Sequence, residues 1–234
     1  MRTLTMSASI PALVIAAVAA FSQGQGDEGK RPGRSPMPIY ITPYYDSDGL
    51  KISVGEYSKE LASADADTIL RVCDKLKREK HRLRAEVMYV TAIRLYDLGR
   101  KDEAVYWFYT AQYRARVFTS ILDKEKIGSI GAEAFELKQA YNSFNALAGE
   151  YINGYAFGDL GTLERTLKKV VEEGKLLPKY GELYPRVAFA PEEVWAGKNE
   201  EVSQGLSRLI EYVKTNADTI KEQRRKSGIE GKYY

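Results

Sequence analysis

Cysteine and histidine are almost missing from this chain: Cys73 and His81 stand alone among 234 residues. A single cysteine allows no disulfide within the chain, so the fold must rest on a core of its own. Cys73 sits in Ile69-Leu70-Arg71-Val72-Cys73, the setting of a buried structural thiol. Ordinary zinc sites draw on several Cys and His, so one of each argues against a metal centre. His81 lies in the cationic run Lys77-Arg78-Glu79-Lys80-His81-Arg82, which discourages protonation and offers no nucleophile for a His-based mechanism. A phosphate loop is missing too. Gly149–Gly161 holds glycines but neither the Lys-Ser/Thr pair nor a preceding strand. Among 32 acidic residues no carboxylate pair stands out for glycoside chemistry. These absences argue against an enzyme and against a bound cofactor. The net charge is only +3, with both signs interspersed, which speaks against a nucleic-acid partner. The basic run Lys221–Lys226 reads as a solvated helix end.

Long apolar runs are scarce as well. The most prominent, Ile10–Phe21, is interrupted by Pro11, follows Arg2, and ends in the small-residue pattern Ala17-Val18-Ala19. Residues 1–26 are therefore expected to be a cleavable signal peptide; an uncleaved anchor or a buried N-terminal helix is the alternative. The run is short of the roughly 20 apolar residues that span a bilayer, and no cysteine lies near the cleavage region to accept a lipid anchor. The expected product is periplasmic or secreted, with no membrane insertion after cleavage. Residues 27–54 are expected to form a disordered leader followed by an extended arm or short hairpin. There Ile39-Tyr40-Ile41 and Leu50–Val54 flank Asp46-Ser47-Asp48-Gly49, a turn signal. That tetrapeptide lacks the later acidic ligands of a calcium loop.

From residue 55 to 234 the pattern is helical, and an all-α domain is expected. Ser63 or Asp65 caps a helix to about Lys80, with Ile69, Val72, Cys73 and Leu76 on one face. Further helices are expected over Leu83–Leu98, from Arg100 to about Leu122, over Ala132–Tyr155 and over Asp159–Glu173. Leu176–Ala190 reads as irregular, and the last helices are expected over Pro191–Ala196 and Glu200–Lys226. Gly99 is placed as a C-cap between the second and third helices.

Five positions of that helix pair stand in a recognisable register: Ala92, Gly99, Ala104, Phe108 and Ala111. The segment 85–118 resembles a tetratricopeptide-repeat hairpin, or its Sel1-like variant. It differs in having Leu95 where an aromatic is common and Arg116 in place of the closing proline. An ordinary hairpin within a bundle is the alternative. The resemblance covers about 34 residues, and a single repeat cannot bury its own face, so flanking helices must complete the stack. It implies that Glu86, Tyr89, Ile93, Tyr96 and Asp97 face a groove.

What the chain has in abundance is tyrosine, 17 against 7 phenylalanines. Tyrosine pairs a large apolar face with a polar tip and suits wet interfaces. Projected at 100° per residue, Ala104, Trp107, Phe108, Ala111, Ala115 and Phe118 share one face of the helix after Gly99. Tyr106, Tyr109 and Tyr113 share the opposite one. That second stripe packs on another helix of the chain or is presented to a partner. The layout of signal peptide plus helical-repeat domain is similar to the periplasmic immunity proteins of type VI secretion effectors. It implies an inhibitor that covers the active site of a toxic effector enzyme. An envelope scaffold or adaptor with a peptide-binding groove is the other reading.

Overall fold

The computed structural model describes residues 54–233; the expected signal peptide and nearly all of the leader and arm lie outside them. The described chain is all-α. Its helices are α1 (Ser58–Leu61), α2 (Ala66–Glu79), α3 (Ala85–Asp97), α4 (Lys101–Ser120), α5 (Glu133–Ala156), α6 (Leu160–Gly174), α7 (Tyr180–Leu183), α8 (Trp195–Thr215) and α9 (Ala217–Lys226). Three short 3₁₀ turns join them, at Gly55–Tyr57, Lys80–Arg82 and Glu192–Val194. Extended pairing among the described residues is confined to one antiparallel bridge, Leu122 with Phe189.

Local chemistry sets the helix ends. Asp65 and Asp159 each precede a helix and accept a hydrogen bond from the backbone N–H three residues on, Thr68 at 2.9 Å and Thr162 at 3.0 Å. Each therefore satisfies one of the unpaired donors of a helix start. Gly99, with φ +76°, closes α3. Its N–H donates to Tyr96 O at 3.0 Å, and Arg100 N–H donates to Leu95 O at 2.8 Å. This is the Schellman pattern, which needs a left-handed residue at that point. The chain then reverses into α4, and α3 and α4 form the most extensively packed pair in the molecule. Ala92, Ala104 and Ala111 are fully buried between them, and their small side chains allow the close approach.

Helix α4 is the centre of the fold. It packs against α3, α5, α6 and α8, which leaves it little surface of its own. Trp107, Phe108, Ala111, Val117 and Phe118 are all at zero exposure. On one side α5 lies across the α3–α4 pair; on the other, α6 and α8 pack together and against α4. The loop before α8 is pinned to the end of α4, where Asp123 N–H donates to Ala188 O at 3.1 Å and Ala190 N–H to Ile121 O at 2.8 Å.

The C-terminal helices depart from the expected boundaries. Helix α8 runs unbroken from Trp195 through Gly197, an exposed glycine with nothing near its Cα. A break comes instead at Asn216, whose backbone leaves the helical region (φ −113°, ψ 19°) while its side-chain amide donates to Tyr212 O at 2.9 Å. The single helix expected over Glu200–Lys226 is therefore two. The segment read as irregular also holds the one-turn helix α7, which brings Tyr180 and Tyr184 into the core.

Candidate protein-binding surface

The face of α3 that the repeat resemblance turns toward a groove is occupied by α5. Tyr141, on α5, donates from its hydroxyl to Glu86 Oε2 at 2.9 Å, and Arg84 Nε lies 2.6 Å from Glu86 Oε1. The Arg84 guanidinium stacks 4.4 Å from the Tyr184 ring and also reaches Glu133 at 3.0 Å. Burial pushes the Glu86 carboxyl above its ordinary range, with Arg84 opposing the shift. One turn on, Tyr89 stacks on Phe144 at 4.8 Å and donates to Asn145 Oδ1 at 2.8 Å. Ile93 is buried as well. Tyr96 and Asp97, at the end of α3, are half-buried; Asp97 Oδ2 is 3.4 Å from Arg94 Nη1.

The tyrosines of α4 go inward in three directions. Tyr109 donates to Asn153 Oδ1 of α5 at 2.9 Å. Tyr113 donates to Asn199 Oδ1 of α8 at 2.9 Å, and the Asn199 amide in turn donates to Gly174 O at 3.0 Å. Its ring lies flat over Gly174, where a Cβ would come within 2.5 Å of it. Tyr106 is half-buried and donates to Glu173 Oε2 at 2.6 Å; the Lys80 ammonium meets the same oxygen at 2.6 Å. Lys169 covers its ring at 4.5 Å.

Five of the eight residues expected to face a partner are thus core residues: Glu86, Tyr89, Ile93, Tyr109 and Tyr113. The physical reason is the position of α4 and of α5. A single hairpin leaves both its faces apolar, and the chain covers them with its own later helices rather than leaving them open. Tyr96, Asp97 and Tyr106 keep partial exposure and are the members of that set which an outside molecule can reach.

A cavity beside Tyr113 is bounded by Lys80, Arg114, Glu173, Leu177 and Tyr180, and offers ≈ 20 Å³ to the centre of a water-sized sphere. One water needs roughly 10–15 Å³, so the space suits a water rather than an organic substrate. Burial holds the Arg114 guanidinium below its ordinary range, and one of its nitrogens donates to Leu83 O at 3.1 Å. Among the described residues no three of His, Cys, Asp and Glu are grouped as metal ligands, and no helix is long and apolar enough to cross a membrane.

The exposed end of the α3–α4 hairpin holds a site that sequence reasoning missed. There the last described residues of the chain lie across α5, and Tyr233 is buried at 4% exposure. Its ring sits directly on Gly154, where any Cβ would be 2.5 Å away, and meets Tyr151 edge-on at 6.2 Å. Its carbonyl accepts from Lys101 Nζ at 2.5 Å and from Tyr96 OH at 3.4 Å. Lys232 pairs with Glu150 at 3.3 Å, and the Tyr233 hydroxyl reaches the same carboxylate oxygen at 3.3 Å. The only local signal was a glycine inside a long helical pattern, which marks a close approach without naming what approaches.

No known protein family and no solved structure matches the chain. An uncharacterized protein of Haemophilus influenzae is 28% identical over 152 residues, 63% of this chain and 53% of the relative. The chain thus spans about half the length of the relative it matches.

Proposed function

We propose that this is an exported protein-binding protein, built on a tetratricopeptide-type hairpin and acting without chemistry of its own. The observation that carries the reading is the Tyr233 seat. The end of α3, the start of α4 and α5 hold the chain's own Lys232-Tyr233 through one buried aromatic, two donors to a backbone carbonyl and an ion pair at the rim, the grammar of a peptide-recognition surface. Export is supported by the charged start, short apolar run and small-residue pattern of residues 1–26. The similarity in layout to periplasmic immunity proteins supports a specific role: an inhibitor whose helical surface covers the active site of a secreted toxic effector. It rests on architecture alone.

A second reading is favoured by the seat itself. An envelope scaffold or adaptor needs a groove that accepts a peptide, and the seat already holds one.

Two measurements test the proposal. The mature chain, tagged and incubated with envelope extract, should retain a stoichiometric protein partner; a folded chain that retains none would overturn the binding role. Fractionation should place the processed protein outside the cytoplasm, and full-length protein confined to the cytosol would refute export.

A further inference from the structure

Of the eight residues first expected to meet a partner, Tyr96 touches the chain's own Tyr233, whose backbone carbonyl accepts from its hydroxyl at 3.4 Å. What holds it is specific to a tyrosine. Gly154 lies in the last turn of α5, and an added Cβ would stand 2.5 Å from the Tyr233 ring. The missing side chain is the floor of the seat. Tyr151 forms a wall, Glu150 receives both the tyrosine hydroxyl and the preceding Lys232 ammonium, and Lys101 with Tyr96 fixes the carbonyl. The recognised chemistry is therefore a basic residue followed by tyrosine in a short segment of chain. The tail reaches the seat from the end of α9 through a turn with Gly228 at φ +63°.

We infer that the Gly154 hollow is a recognition site for a basic-residue-then-tyrosine segment of another protein, and that the chain's own Lys232-Tyr233 fills it as an exchangeable stand-in. The inference rests on the protein-binding reading above and deepens it by stating what the partner presents. A short tether gives the tail an effective concentration on the order of millimolar, so it acts as a threshold: only a segment that binds well, or is itself tethered by further contacts, displaces it.

The test uses the full chain and the labelled peptide Ile-Glu-Gly-Lys-Tyr-Tyr, residues 229–234, followed by fluorescence anisotropy. Tyr233→Ala empties the seat and should bind the peptide at least ten-fold more tightly than the wild type does. Adding Gly154→Ala to Tyr233→Ala fills the floor and should abolish binding, while leaving the melting temperature unchanged or higher, because alanine favours the helix once the ring is gone. If Tyr233→Ala proves unfolded, Lys232→Glu sets a carboxylate against Glu150 in cis, spares the seat, and should show the same gain. A peptide with alanine in place of the first tyrosine should not bind. Equal binding by wild type and emptied variants, or binding that survives Gly154→Ala, overturns the inference. So does a concentration-dependent wild-type dimer lost in Tyr233→Ala, since the occupant would then be a second copy. A partner retained from envelope extract equally by wild type and by the Gly154→Ala, Tyr233→Ala double variant would sink this inference and leave the protein-binding role standing.

Discussion

Truncating the three tyrosines of α4 separately decides whether they are core or contact surface. Tyr109 and Tyr113 are 3% and 5% exposed, and each ends in a hydrogen bond to a different helix. Removing a buried aromatic down to alanine costs about 3–5 kcal/mol, so each of Tyr109→Ala and Tyr113→Ala should lose about that much. They sit one turn apart, but Tyr109 meets Asn153 of α5 and Tyr113 meets Asn199 of α8. Their costs should therefore come close to adding. Together they remove about 6–10 kcal/mol from a total that for ordinary domains is about 5–15 kcal/mol, and the double variant should be largely unfolded. Tyr106→Ala should cost only about 1–2 kcal/mol, because the side chain is half-exposed and loses chiefly its hydrogen bond to Glu173. Urea titration followed by far-ultraviolet circular dichroism reads all three. A loss below about 1 kcal/mol at Tyr109 or Tyr113, typical of surface positions, would refute the packing assigned to α4 and return the stripe to solvent.

Three further outcomes follow from the packing. Gly174→Ala should destabilise by about 1–3 kcal/mol through overpacking, since its Cβ would meet the Tyr113 ring at 2.5 Å; the penalty should vanish in a Tyr113→Ala background, read as a double-mutant cycle of urea midpoints. Burial holds the Glu86 carboxyl above its ordinary value, so the folded chain holds that proton more tightly than the unfolded chain does. Its contribution is complete below the unfolded pKa and is lost as pH rises through the folded one. The stability of wild type minus that of Glu86→Gln should therefore fall as pH rises above the ordinary glutamate range of about 4.3; a difference that grows with pH would show the Arg84 pair to dominate. Cys73 is buried and its thiol is pushed up to about 11 by desolvation. Ellman's reagent at mild pH should label it only at the rate of global unfolding, and immediate labelling of the native chain would contradict its place on the buried face of α2.

How much of this was legible in the sequence differs between elements for physical reasons. The cap at Asp65, one of the two expected, the start of α6 at Asp159, the Gly99 terminus and the buried face of α2 are local events, decided within four residues by hydrogen bonding and periodicity. They were readable. The break at Asn216 was not, because Asn is a middling helix residue whose effect depends on its side chain turning back to Tyr212 O. Which neighbour covers a face is a long-range matter, and no periodicity contains it. Tyr109 meets a residue 44 positions away and Tyr113 one 86 positions away.

The two-faced character of α4 nevertheless held the answer to its own question. A helix with aromatic residues around its whole circumference has no side left for water, and the least strained place for it is the middle of a bundle. That reasoning makes burial the expectation for all three tyrosines and leaves exposure to be explained. Tyr106 is the one that keeps it, and there Lys80, Lys169 and Glu173 meet it with charge. The seat for Tyr233 obeys the same logic in reverse. Gly154, in the last turn of α5, lacks the side chain whose Cβ would stand 2.5 Å from the Tyr233 ring, and the ring rests on the backbone there. The same contact recurs at Gly174 beneath Tyr113, where a missing side chain again makes room for an aromatic of the chain's own.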